Sequence, residues 1–108
     1  MVRQGRVATL LRVIEVREGG LLLYGSLWPW EEIQAVSAYS LELPGGLPPV
    51  TFLVLDHVCG EFAEIDHESA AFVALLEGLG RHLALPSGWA DAVRALGPGA
   101  SLAVYARG

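Results

Sequence analysis

Apolar positions along this chain follow two different periods, and the switch between them lies within residues 50–83. Val50 to His57 is rich in aliphatic and β-branched residues, which favour strands. Cys59-Gly60 breaks that run, and Glu61 to Asp66 returns with rough alternation, so the pair reads as a β-hairpin. From Phe72 the spacing lengthens. Phe72, Leu75, Leu76, Leu79 and Leu83 fall at i, i+3, i+4, i+7 and i+11, one face of a helix. A sheet and a helix, each apolar on one side, are the two halves of a core.

The flanking segments repeat these themes. Arg6 to Arg17 carries Val7, Leu10, Leu11, Val13, Ile14 and Val16, which fit a strand with a bulge near Val13. A helix through Val7, Leu10, Leu11 and Ile14 is the competing assignment. Glu18-Gly19-Gly20 is a hairpin turn, which favours the strand, with Leu21 to Tyr24 as its partner. Gly25-Ser26 breaks the second strand. Trp28 to Ile33 is expected to form a turn or one helical turn, because Pro29 cannot sit in a central strand. Gln34 to Leu43 is a third extended run, followed by a loop over Pro44 to Pro49. Beyond the main helix, which Leu85-Pro86 closes, Ser87 is the expected N-cap of a short helix with Trp89, Val93 and Leu96 on one face. Ser101 to Tyr105 reads as a last strand, too apolar for a bare edge, expected to pair within the sheet or with a second subunit. The sum is an α+β fold: a curved antiparallel sheet or partly open barrel of about six strands, one main amphipathic helix and a short second one.

Composition narrows the function. At 108 residues the chain has room for one domain and one core. Hydrophobic residues make up 53% and charged residues only 18%, which is hard to hide in so small a monomer. A homo-oligomer, a dimer first, is therefore expected. The net charge is −5, and all seven positive residues are Arg, widely spread. Nucleic acid and anionic lipid both require a basic patch, so neither is an expected partner. One cysteine, Cys59, excludes an internal disulfide framework and fits a reducing compartment. No stretch approaches the roughly 18 apolar residues of a membrane helix, so membrane insertion is not expected and the cytoplasm is.

Three groups of residues bear on chemistry. His57, Cys59 and His67, with Asp56, Asp66 and Glu68 beside them, are the candidate metal ligands, since zinc favours His and Cys. A turn at Cys59-Gly60 pairs His67 back near Thr51 to Leu53, about 13–20 Å from His57, so one chain does not close that site. Asp56, Glu64 and Asp66 share strand parity and form an acidic group, expected to lie solvated on the outer face of the hairpin. The tryptophans pull two ways. An exposed Trp28 and Trp30 pair would mark a contact surface, but Trp is equally a core residue, and Trp30 and Trp89 are assigned there. Neither a nucleophile elbow nor a phosphate-cradling glycine motif is present, and no cofactor is implied.

The Trp30 to Ile33 start, the extended run from Ala35 to Leu43, the following hairpin and the helix from Ser69 to Leu83 resemble small uncharacterised bacterial proteins with a pleckstrin-homology-like fold. In such families a Trp-x-x-Ile turn opens a strand and an amphipathic helix covers one mouth of a curved sheet. Lipid-binding members carry a basic loop between the first two strands. Here that loop is Arg17-Glu18-Gly19-Gly20, one cation and one anion, so phosphoinositide binding is not expected. The resemblance implies a binding or scaffolding role. The expected function is a non-enzymatic, cytoplasmic protein-interaction module that self-associates, with Trp28, Trp30, Leu102, Val104 and Tyr105 as interface residues. Two alternatives are a small metal-dependent enzyme or metal binder using Asp56, His57, Glu64 and His67, and an immunity or regulatory protein for a basic partner.

Overall fold

The structure, a computed structural model, describes residues 2–4 as backbone and residues 14–107 in full. Strand β1 is Val2–Gln4. Three strands then form a meander: β2 (Ile14–Arg17), β3 (Gly20–Leu23) and β4 (Ser26–Pro29). A 3-10 turn at Trp30–Glu32 leads into β5 (Ile33–Leu41), then β6 (Val50–His57) and β7 (Phe62–Asp66). Helix α1 (Ala70–Gly78), helix α2 (Trp89–Arg94) and strand β8 (Ser101–Ala106) complete the described chain. The strands make two antiparallel sheets, one ordered β1-β7-β6-β5-β8 and the other β2-β3-β4. Among the described residues neither closes into a barrel, and two antiparallel sheets with two helices make this an α+β fold.

The expected hairpin β2–β3 is present, with Arg17 opposite Gly20 around Glu18-Gly19. The bulge near Val13 and the competing helix through Val7 lie outside the described residues. Strand β4 was not anticipated, and its cause is local. Tyr24 (φ 52°) and Gly25 (φ 86°) both adopt left-handed backbone, which makes a two-residue hairpin turn with Leu23 opposite Ser26. Such turns match the natural twist of paired strands, so the chain reverses where a mere break was expected. Pro29 is accommodated because β4 lies at a sheet edge and Pro29 is its last residue. The helical turn expected here survives only at Trp30–Glu32.

One apolar cluster holds the molecule together. Val36, Ala38, Leu53, Leu55, Ala63 and Ile65 from the larger sheet meet Leu21, Leu23 and Trp28 from the smaller one. Phe72, Leu75, Leu76, Leu79 and Leu83 all join this cluster, as their spacing predicts. The regular helix nevertheless stops at Gly78, and Leu79–Arg81 tightens into a 3-10 turn. Gly78 and Gly80 weaken propagation there, and Leu83 reaches the core from beyond the helix. Ser69 caps the helix start by accepting a hydrogen bond from the Ala71 N–H (3.2 Å). The cap of α2 differs from expectation: Gly88 in left-handed conformation occupies it, not Ser87, and supplies the carbonyl that accepts from Ala92.

Two glycines set how closely elements approach. A Cβ on Gly20 would lie 2.3 Å from the Trp28 carbonyl oxygen, and one on Gly78 would lie 2.9 Å from a methyl of Val16. The first fixes β3 against β4; the second lets α1 lie directly on β2.

Candidate functional site

Five places gather the residues to which the sequence points, and they do not converge. The first is the corner where β6 ends. His57 stands beside Trp28, with ring centroids 4.7 Å apart, and its Nε2 lies 2.9 Å from Glu32 Oε1. The Cys59 N–H donates to His57 Nδ1 (3.1 Å), so the ring proton sits on Nε2 and is donated to Glu32. Cys59 is in the exposed turn, its thiol 3.8 Å from Glu61 Oε1. His57 therefore braces a corner, with both ring nitrogens used inside the fold.

His67 lies at the other end of the hairpin, as the register requires. Its N–H donates to the Thr51 carbonyl, and the Thr51 N–H donates to His67 Nδ1 (3.0 Å). Six residue steps along the strand separate Thr51 from His57, on the order of 20 Å. His57, Cys59 and His67 are thus not brought together, and among the described residues no three His, Cys, Asp or Glu side chains are placed to share a metal ion. Beside His67 opens a cavity of about 250 Å³ lined by Pro49, Thr51, Phe72, Arg94 and Leu96.

The acidic group corrects an expectation. Asp56, Glu64 and Asp66 do share a face, since Val54 pairs with Glu64, Phe52 with Asp66 and Asp56 with Phe62. That face is not solvated throughout: Glu64 and Asp66 are buried. Tyr39, stacked on Phe52, donates its hydroxyl to Glu64 Oε2 at 2.8 Å. Strand parity alone could not reveal this, because it assigns a face without saying what covers it.

The tryptophans separate as well. Trp28 is 4% exposed and belongs to the core, which removes it from the interface candidates. Its position opposite Leu21 in the unanticipated β4 is the reason. Trp30 is half-buried, stacked on His82 (4.5 Å), and its indole N–H donates to the carbonyls of both Arg17 (3.0 Å) and Glu18 (3.1 Å). It ties down the turn between β2 and β3. Trp30→Phe keeps most of the packing and loses that shared bond, so it should cost about 1 kcal/mol in urea unfolding.

The remaining interface candidates lie on β8. Leu102 and Tyr105 are half-buried, while Val104 is buried at the bulge between Ala103 and Tyr105. Strand β8 does pair within the sheet, as expected, but only on one side: β5 is its neighbour and the sheet ends there. Its far edge has no strand partner among the described residues. The four sheet edges formed by the described strands differ in how they are protected. Strand β2 carries Glu15 and Arg17, β4 ends in Pro29, and β1 is three residues long with an Arg. Charge, proline and shortness are the usual guards against edge-to-edge association. Strand β8, six residues from Ser101 to Ala106, contains neither charge nor proline.

Exposed apolar side chains argue less than composition suggested. Leu27, Leu41, Leu47, Val58 and Val73 are exposed, but they come from five separate elements or loops. Scattered apolar residues are normal on a protein surface. No helix among the described residues is long and apolar enough to cross a membrane.

Comparison with family models, curated proteins and solved structures finds no match to this chain.

Proposed function

We propose that this chain is a non-enzymatic protein-interaction module that self-associates. The observation carrying this reading is the unguarded edge of β8, the longest edge strand of the fold and the only one without a charge or a proline among the described residues. An exposed strand edge offers a row of backbone donors and acceptors to another chain, and β-strand addition is a common mode of protein recognition. The core supports the reading from the other side. It takes up the residues of the main helix stripe and leaves no broad apolar face among the described residues, so main-chain pairing at an edge is the more economical contact. The likeness of the hairpin and main helix to pleckstrin-homology-like bacterial proteins favours a binding role in the same direction.

Mass measured by light scattering over a concentration series tests this. The particle mass should rise toward twice that of the single chain as concentration increases to roughly 100 µM. A mass that stays at one chain throughout removes the proposal.

A further inference from the structure

The way in which β8 is paired to β5 prescribes what its free side can accept. Ser40 donates its N–H to the Ala100 carbonyl, and Arg107 donates to the Gln34 carbonyl, so both ends of β8 are bonded inward. Between them, residues opposite one another in an antiparallel ladder alternate between bonding inward and facing away. Leu102 lies opposite Ala38, while Ser101 lies opposite Tyr39 and Ala103 opposite Ser37. Counting from the bond at Ser40, the backbone groups of Ser101 and Ala103 point away from β5.

Resting on the self-association reading above, we propose that the occupant of this edge is β8 of a second copy, running antiparallel about a two-fold axis at Ala103 and Val104. Ten strands, five from each copy, would then form one continuous sheet. Self-complementarity argues for this partner. A two-fold axis at that point sets Ser101 opposite Ala106 and Leu102 opposite Tyr105 of the second copy. The faces agree in both cases. Leu102 and Tyr105 pair with Ala38 and Val36, which both turn to the core, whereas Ser101 and Ala106 pair with Tyr39 and Ala35 of the other parity.

The bulge falls on the axis, so its extra residue does not put the two halves out of step. Half-buried Leu102 and Tyr105 become a cross-strand aliphatic–aromatic pair, a favourable neighbour in sheets. Charge favours the antiparallel direction. Arg107 of one copy comes to the end of the interface where β5 of the other continues into Glu42, whereas parallel strands would set Arg107 beside Arg107.

The experiment combines two variants with amide exchange on the unaltered protein. Ala103→Lys places a charge at the axis on an exposed position, and Ser101→Pro removes one outward N–H while leaving the inward bonds of β8 intact. Both should raise the dimer dissociation constant at least about tenfold, with unchanged circular dichroism and, at concentrations where the unaltered protein is monomeric, an unchanged melting midpoint. Leu47→Lys, on an exposed loop elsewhere, should dimerise as before. In the unaltered protein, the amides of Ser101 and Ala103 should exchange slowly at high concentration and faster on dilution. If the protein dimerises but those amides exchange freely at every concentration, the β8 interface is wrong while self-association stands. Should a variant fail to fold, the exchange measurement decides alone. A chain that never dimerises overturns this inference together with the reading on which it rests.

Discussion

Gly20→Ala is expected to be among the most damaging single substitutions in this protein, although it adds one methyl group. Gly20 sits opposite Pro29 at the junction of β3 and β4, and its new Cβ would lie 2.3 Å from the Trp28 carbonyl oxygen and 2.8 Å from the Pro29 Cα. Both obstacles are backbone, so no side chain can swing aside. Relief requires β4 to move, and β4 carries Trp28 into the core and leads to Trp30, which bonds the β2–β3 turn. Overpacking of this kind costs about 3 kcal/mol. The neighbouring residue supplies the control. A Cβ on Gly19 meets nothing within 4 Å, so Gly19→Ala should be neutral, or stabilising by about 0.5 kcal/mol through lost freedom of the unfolded chain. Urea unfolding of the two variants side by side checks this. Equal stability would show that β3 and β4 do not approach so closely.

The second large effect is Leu75→Ala. Leu75 is fully buried at the centre of the α1 stripe, with Phe72, Leu76 and Leu79 around it and the sheets beneath. Truncation forfeits the transfer energy of the lost groups and leaves a cavity that the flanking strands cannot fill, a cost of about 3 kcal/mol. For a chain of this size that corresponds to a fall of roughly 10–20 °C in melting midpoint. Val73, two residues earlier on the same helix, is exposed, and Val73→Ala should change the midpoint by little. A Leu75 variant as stable as the Val73 variant would mean that α1 does not close the core.

Much of the fold was legible because the signals were local. The period of 3.6 through Phe72, Leu75, Leu76, Leu79 and Leu83 located five residues that all join the core, and the Cys59-Gly60 break set a register that places His67 beside Thr51. Strand β4 was hidden because its turn uses Tyr24 in left-handed backbone, a conformation that the residue type does not advertise. Trp28 was then ambiguous for the same reason, since its burial depends on the strand that carries it. The burial of Glu64 and Asp66 was invisible for a different one. Alternation assigns a side chain to a face, but burial depends on neighbours brought there by distant parts of the chain, such as Tyr39, 25 residues away. At β8 the apolar composition correctly announced pairing. Which side has no strand partner among the described residues followed only from the sheet order.

The pairing of β8 with β5 also bears on the order in which the molecule assembles. Tyr39 finds Ser101 across a chain separation of 62 positions, whereas β5, β6 and β7 are joined by short reversals and can zip in sequence. Closing so long a loop carries an entropic penalty that is repaid only once the rest of the sheet is formed, so β8 should dock late. Until then the flank of β5 is an open template, and the nascent molecule has its greatest chance of capturing the wrong strand.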